Sequence, residues 1–208
     1  MRIDSLKNAP DRAGRYWVSF EDGSKLGLYR QTVEDFGLYI GKELSEEELE
    51  ALYTAAGKMS AKMRAVRIVS ATNVSKRDLE ERLVRKGEDP EQAKEAVQWM
   101  EDLHLVDDRN TAEQVVHSCI SKGYGIARAK QALYEKRIPK QYWDEALEDY
   151  PDQTEKIEAF LRSRLDEESD DKQMKRAIDA LIRRGHSYST IRRVLSGLSF
   201  DSEDYFED

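Results

Sequence analysis

The strongest constraint on what this chain can fold into is an internal period. Leu83-Val84-Arg85-Lys86-Gly87 aligns with Leu133-Tyr134-Glu135-Lys136-Arg137 and again with Leu181-Ile182-Arg183-Arg184-Gly185, at offsets of 50 and 48 residues. Apolar residues keep step with this marker: Leu79, Ala129 and Ala177 before it, Val97, Leu147 and Leu195 after it. A period of this length in a helical pattern denotes stacked supersecondary units, none of which can bury its apolar face alone. The expected fold is mostly α: three tandem three-helix repeats forming an elongated curved array. The repeats are expected over residues 58–107, 108–150 and 151–200.

Residues 1–57 read differently, as an N-terminal β-rich extension with short helices. Arg15-Tyr16-Trp17-Val18-Ser19-Phe20 is aromatic and β-branched, Asp22-Gly23 is a turn signal, and Lys25-Leu26-Gly27-Leu28-Tyr29 returns as a second strand. Such a hairpin is marginal alone, so a third strand or neighbouring helices should cover it. Thr32 to Phe36 reads as a short helix entering Gly37. Ser45-Glu46-Glu47-Glu48 is a capping-box start for a helix through Ala56, with Gly57 as the break before the repeats.

Within the repeats, Met59, Met63, Val66 and Val69 have helical spacing, Asn73 or Ser75 caps the next helix, and Gly87 ends it. Pro90 falls in a first turn, where proline is tolerated, ahead of the stripe Ala93, Val97, Met100 and Leu103. The corresponding stripes are Ala112, Val115 and Cys119, then Ile126, Ala129 and Leu133, in the second repeat, and Met174, Ala177, Ile178 and Leu181 in the third. Asp166 to Asp171 is expected as a solvated acidic loop, and residues 201–208 as an acidic frayed tail.

Composition supports this architecture and removes several function classes. Of 208 residues, 37% are charged and 39% hydrophobic, a balance suited to narrow helices with much exposed surface. No run approaches 18 apolar residues, so no membrane span is expected, and the N-terminus lacks the apolar run of a signal peptide. A single cysteine fits a reducing cytoplasm. The net charge of −8 divides as −4 over residues 1–57, zero over 58–150 and −4 over 151–208. No basic domain exists to grip duplex DNA as a main activity.

The search for catalytic chemistry finds none. His104, His117 and His186 are scattered, and two-residue spacing puts His117 and Cys119 on different helix faces. Gly123-Tyr124-Gly125 lacks the third glycine and the preceding strand of a dinucleotide loop. Asp107-Asp108 reads as a helix cap. The expectation is a protein that is not an enzyme, with no cofactor and no metal.

The basic residues say more. The position before the marker's last residue is cationic three times: Lys86, Lys136 and Arg184. Around it lie Arg82 and Arg85, Arg128 and Lys130, then Lys175, Arg176 and Arg183, with Arg192 and Arg193 further on. From Lys172 to Arg193 there are seven basic residues and one acidic, Asp179. Cations at helix C-termini complement the helix dipole, at about 0.3–1 kcal/mol each. Stacked repeats would also line these cations up as a stripe that meets an acidic protein or a nucleic-acid backbone. Both readings stand at this point.

The ordered motifs resemble those of a known family. Asp107-Asp108, Ala112, Val115 and Val116, then Lys122-Gly123-Tyr124-Gly125, Ala132-Leu133 and Ile138, resemble the central repeat of RecX family proteins. Ser75, Leu79, Leu83 and Lys86-Gly87 are similar to the family's first repeat. Arg137 departs from the family's marker glycine, and Thr111 from its usual aromatic. The resemblance implies an all-helical regulator of the RecA recombinase. Such a protein lies in the groove of the RecA–single-stranded-DNA filament and blocks strand exchange and ATP hydrolysis. A monomer is expected. The rival expectation is a single-stranded nucleic-acid-binding module acting without RecA, motivated by the basic run in the third repeat.

Overall fold

The computed structural model describes residues 1–166 and 169–198. The expected acidic tail lies outside the described residues, as do two residues of the acidic loop. The chain divides into two compact units, Met1–Val106 and Asp107–Asp208.

Unit 1 opens with a three-stranded antiparallel sheet ordered β1 (Ile3–Leu6), β2 (Arg15–Phe20), β3 (Lys25–Tyr29). Strand β1 lies upstream of the two strands that the sequence signals, because IDSL is too short and too polar to signal itself. It pairs with β2 from Ile3↔Phe20 to Leu6↔Val18, with an irregularity between Ile3 and Ser5. Ile3, Val18, Phe20 and Leu28 face inward and pack with Leu52 and Ala56. A short helix α1 (Arg30–Asp35) follows, and Gly37 takes φ +52 beyond it.

Helix α2 (Glu46–Ala71) starts on the capping box: Ser45 Oγ accepts from the Glu48 N–H and the Glu48 carboxylate accepts from the Ser45 N–H. It does not stop at Gly57. The helix runs straight through, so the expected break falls inside a 26-residue helix. A Cβ at Gly57 would meet Gln92 Oε1 at 2.2 Å, so the glycine admits the Gln92 side chain of the facing helix. Of the expected stripe, Val66 and Val69 do pack against the helical core, but the fully buried positions of α2 are others. The buried positions are Ala61 and Ala65, with Val66, Ile68 and Val69 partly buried beside them. Small residues let α2 approach α4 closely, which a methionine stripe would prevent.

Helices α3 (Lys76–Arg85) and α4 (Pro90–Asp102) complete the unit. Ser75, rather than Asn73, caps α3 by accepting from the Asp78 N–H, and Asp89 caps α4 ahead of Pro90. Leu79, Leu83, Ala93, Val97 and Met100 close the core.

Unit 2 begins with α5 (Asp108–Ser121), whose cap is Asp107, accepting from the N–H groups of Arg109 and Asn110. Helix α6 (Ile126–Glu135), a 3-10 turn (Lys140–Tyr142) and short α7 (Trp143–Leu147) pack Ala112, Val116, Cys119, Ala129, Leu133 and Leu147 together. Helices α8 (Thr154–Arg162), α9 (Asp171–Arg183) and α10 (Tyr188–Gly197) form a further core with Ile157, Leu161, Ile178, Leu181, Ile191 and Leu195.

The sequence marker corresponds to one local geometry used three times. After α3, α6 and α9 the chain turns through a left-handed residue: Gly87 at φ +90, Arg137 at φ +56, Gly185 at φ +86. In each case the next N–H reaches back to the leucine that opens the marker: Glu88 to Leu83, Ile138 to Leu133, His186 to Leu181. This is the backbone pattern that satisfies the last orphan carbonyls of a helix. Among the described residues no helix is long and apolar enough to cross a membrane.

Candidate partner-binding surfaces

In unit 1 the sequence-derived cations Arg82 and Lys86 lie on the wall of a groove of about 580 Å³. Arg85 of the same helix joins them, with Arg64 and Arg67 from α2 and Arg15 from β2. Ala13, Ile68, Ala71 and Thr72 complete the lining. Asp11 organises one edge: its carboxylate accepts from the backbone N–H groups of Ala13 and Arg15, the Arg15 guanidinium and the Trp17 indole. These bonds, the Arg15 backbone N–H foremost, hold its carboxyl well below the usual carboxylate range. Arg64 donates to the Lys86 carbonyl oxygen and pairs with buried Glu88 at 2.6 Å. Arg82 pairs with Asp78 at 2.9 Å. Nothing in the repeat pattern signals Arg15, Arg64 and Arg67 here, because they lie outside the marker.

The remaining sequence-derived cations are in unit 2. Lys136 and Arg184 occupy helix C-caps, as Lys86 does in unit 1, the position where a cation complements the dipole. Arg184 lies over the Phe160 ring at 4.5 Å. Arg128 pairs with Glu135 at 3.0 Å, which lowers the Glu135 pKa through that hydrogen bond and raises that of the arginine. Lys130, Lys175, Arg176, Arg183 and Arg192 are exposed. The spacing of Arg176 and Arg183 puts them on one face of α9, together with Lys172 and Asp179. Arg193 reaches Thr154 Oγ1 at 3.2 Å and Asp152 at 3.5 Å.

The Lys122-Gly123-Tyr124-Gly125 motif holds unit 2 together from within. The Gly125 N–H donates to the Arg184 carbonyl oxygen, and His186 Nε2 lies 3.0 Å from the Gly123 carbonyl oxygen. The Tyr150 hydroxyl donates to the Tyr124 carbonyl oxygen at 2.6 Å, and burial pushes its pKa up to about 12. Gly125, Tyr150, Gln153, His186 and Ser187 line a cleft of about 620 Å³ there. Cys119 is buried, which raises its thiol pKa, while His117 is exposed on another face of α5. Among the described residues no three His, Cys, Asp or Glu side chains converge as a metal site.

Comparison with known proteins agrees with this geometry. The model of the second three-helix domain of RecX matches residues 107–147, the segment that holds α5 to α7. Regulatory protein RecX of Clostridioides difficile is 28% identical over 210 residues, covering 98% of this chain and 97% of that protein. That of Chlorobaculum tepidum is 31% identical over 141 residues, covering 66% of this chain and 88% of its own length. A crystal structure of regulatory protein RecX superposes with a TM-score of 0.62 at 22% identity, covering 94% of this chain and 98% of that one. With the marker geometry and these relatives together, the chain belongs to the RecX family of regulatory proteins.

Proposed function

We propose that the protein binds the filament formed by RecA on single-stranded DNA and inhibits its strand exchange and ATP hydrolysis. It would thereby modulate homologous recombination and DNA repair in the cytoplasm. Membership of the RecX family carries this reading. The chemistry of the molecule is compatible with it. The candidate surfaces are rich in exposed cations, which suits action through binding. A ligand that prefers one filament state shifts the population toward that state by its differential affinity. The exposed cations Lys86, Lys130, Lys175, Arg176, Arg183, Arg192 and Arg193 are the side chains assigned to the acidic partner. Arg82, Arg128, Lys136 and Arg184 support them from paired or capping positions. The decisive measurement is RecA's DNA-dependent ATP hydrolysis with this protein added. Inhibition at stoichiometric amounts is expected, and an unchanged rate at excess refutes the reading.

A further inference from the structure

The cleft of about 620 Å³ in unit 2 lies where three helices begin. Gly125 precedes α6, Gln153 precedes α8 and Ser187 precedes α10. Two of these starts are satisfied by side chains. The Asp152 carboxylate accepts from the Thr154 N–H and hydroxyl, and Ser187 Oγ accepts from the Thr190 N–H. Helix α6 differs, because its cap is a glycine and supplies no side-chain acceptor. The Arg128 and Ala129 N–H groups reach back to the Gly125 carbonyl oxygen. The N–H groups of Ile126 and Ala127 are left with no acceptor among the described residues. The same cleft carries the opposite deficit. Gln153 is 7% exposed, and its Oε1 is buried with no donor. Its Nε2 donates to the Pro151 carbonyl oxygen at 3.4 Å, which fixes the orientation of the amide. Turned over, it would set two oxygens against each other.

We propose that this cleft binds a short extended segment of polypeptide through its backbone amides. Donors without an acceptor and an acceptor without a donor call for a neutral group that has both functions. An anion suits the start of α6. In this cleft it would also meet two acceptors, Gln153 Oε1 and the Asp152 carboxylate. A cation would face the positive end of α6. A peptide presents C=O and N–H in alternation: its carbonyl oxygen accepts from the Ile126 or Ala127 N–H, and its own N–H donates to Gln153 Oε1. Because Oε1 is closed to solvent, the Gln153 amide turns to meet the ligand. That terminal torsion is soft, and only the long bond to Pro151 opposes it. The volume is that of a small-ligand cleft, which admits about two or three residues. Pro151, Ile157 and Ile182 give small apolar side chains a wall to pack on. This inference goes beyond the filament reading, because it assigns a site that uses none of the cations.

The test is an NMR titration of the isotope-labelled full chain with N-acetyl-alanyl-valine N-methylamide. Saturable shifts of the Ile126 and Ala127 amide signals at millimolar peptide are expected. Gln153→Leu deletes the acceptor at similar side-chain size and should weaken binding about five-fold, the worth of one hydrogen bond. Its thermal midpoint should hold or rise, because the deleted oxygen has no partner to lose. Ile126→Pro removes one donor at the first helical position, where proline is tolerated. Gly125, at φ −78 and ψ 164, already has the conformation that precedes a proline. That variant, followed at Ala127, should also bind about five-fold more weakly, and Ile126→Val should match the wild type. Four results overturn the assignment. They are no saturable shift in the wild type, undiminished binding by both Gln153→Leu and Ile126→Pro, a lowered midpoint for Gln153→Leu, and equal shifts of the same signals by inorganic phosphate or uridine. A lowered midpoint would mark Gln153 as a structural group only.

Discussion

His186 shows how a single side chain ties its local environment to pH. It is buried, and burial depresses its pKa below the ordinary 6.5; the nearby Arg184 charge acts the same way, while the hydrogen bond to the Gly123 carbonyl opposes both. The folded protein therefore keeps the imidazole neutral where the unfolded chain already takes up a proton. This contribution to stability is complete above the unfolded value of 6.5 and is lost as pH falls through the folded value. Thermal melts at pH 7.5, 6.5 and 5.5 should show the midpoint declining on the acid side, and His186→Gln should flatten that decline. Arg137 makes the complementary point. It holds a left-handed conformation at φ +56 where the equivalent positions have glycine. L side chains adopt that region at a cost of roughly 1–2 kcal/mol, so the hydrogen bonds that end α6 are strong enough to impose it.

The elements of unit 2 meet at two glycines whose roles are steric. A Cβ at Gly125 would stand 2.0 Å from the Gly185 carbonyl oxygen, and one at Gly185 would stand 2.3 Å from the Arg128 nitrogen. Both obstacles are backbone, so no rotamer change relieves them. Gly125→Ala should destabilise the unit by about 2–4 kcal/mol, among the larger single-residue effects. Gly197→Ala meets nothing within 4 Å and has no positive φ, so it should be neutral or stabilise by under about 1 kcal/mol. Urea denaturation of the two variants checks this: the midpoint falls for the first and holds or rises for the second. Gly57 is a different case, since the atom in the way belongs to the flexible Gln92 side chain.

At the scale of the whole molecule, each hydrophobic cluster among the described residues is built within one unit. Two lie within Met1–Val106 and two within Asp107–Asp208. A fragment comprising residues 1–106 should therefore keep its helical signal and melt cooperatively on its own. A broad, non-cooperative melt by circular dichroism would contradict that. Helix α2 makes the fragment one body rather than two, because Leu52 and Ala56 serve the sheet core while Ala61 and Ala65 serve the helical core.

What the sequence determined by itself was local. Helix ends are set by residues within one or two turns, so the three markers, the Ser45 capping box and the Asp107 cap are legible in the order of residues alone. The repeated left-handed turn is legible even where Arg137 replaces glycine, because the flanking leucines keep their spacing. The tertiary structure decided what depends on residues far apart in the chain. Strand β1 exists because β2 offers it an edge, and α2 passes Gly57 because α4 packs against it. The cationic groove joins Arg15, Arg67 and Arg85, each separated from the next by many residues. No period or motif connects those three positions, and only the packing of β2, α2 and α3 brings their charges to one place.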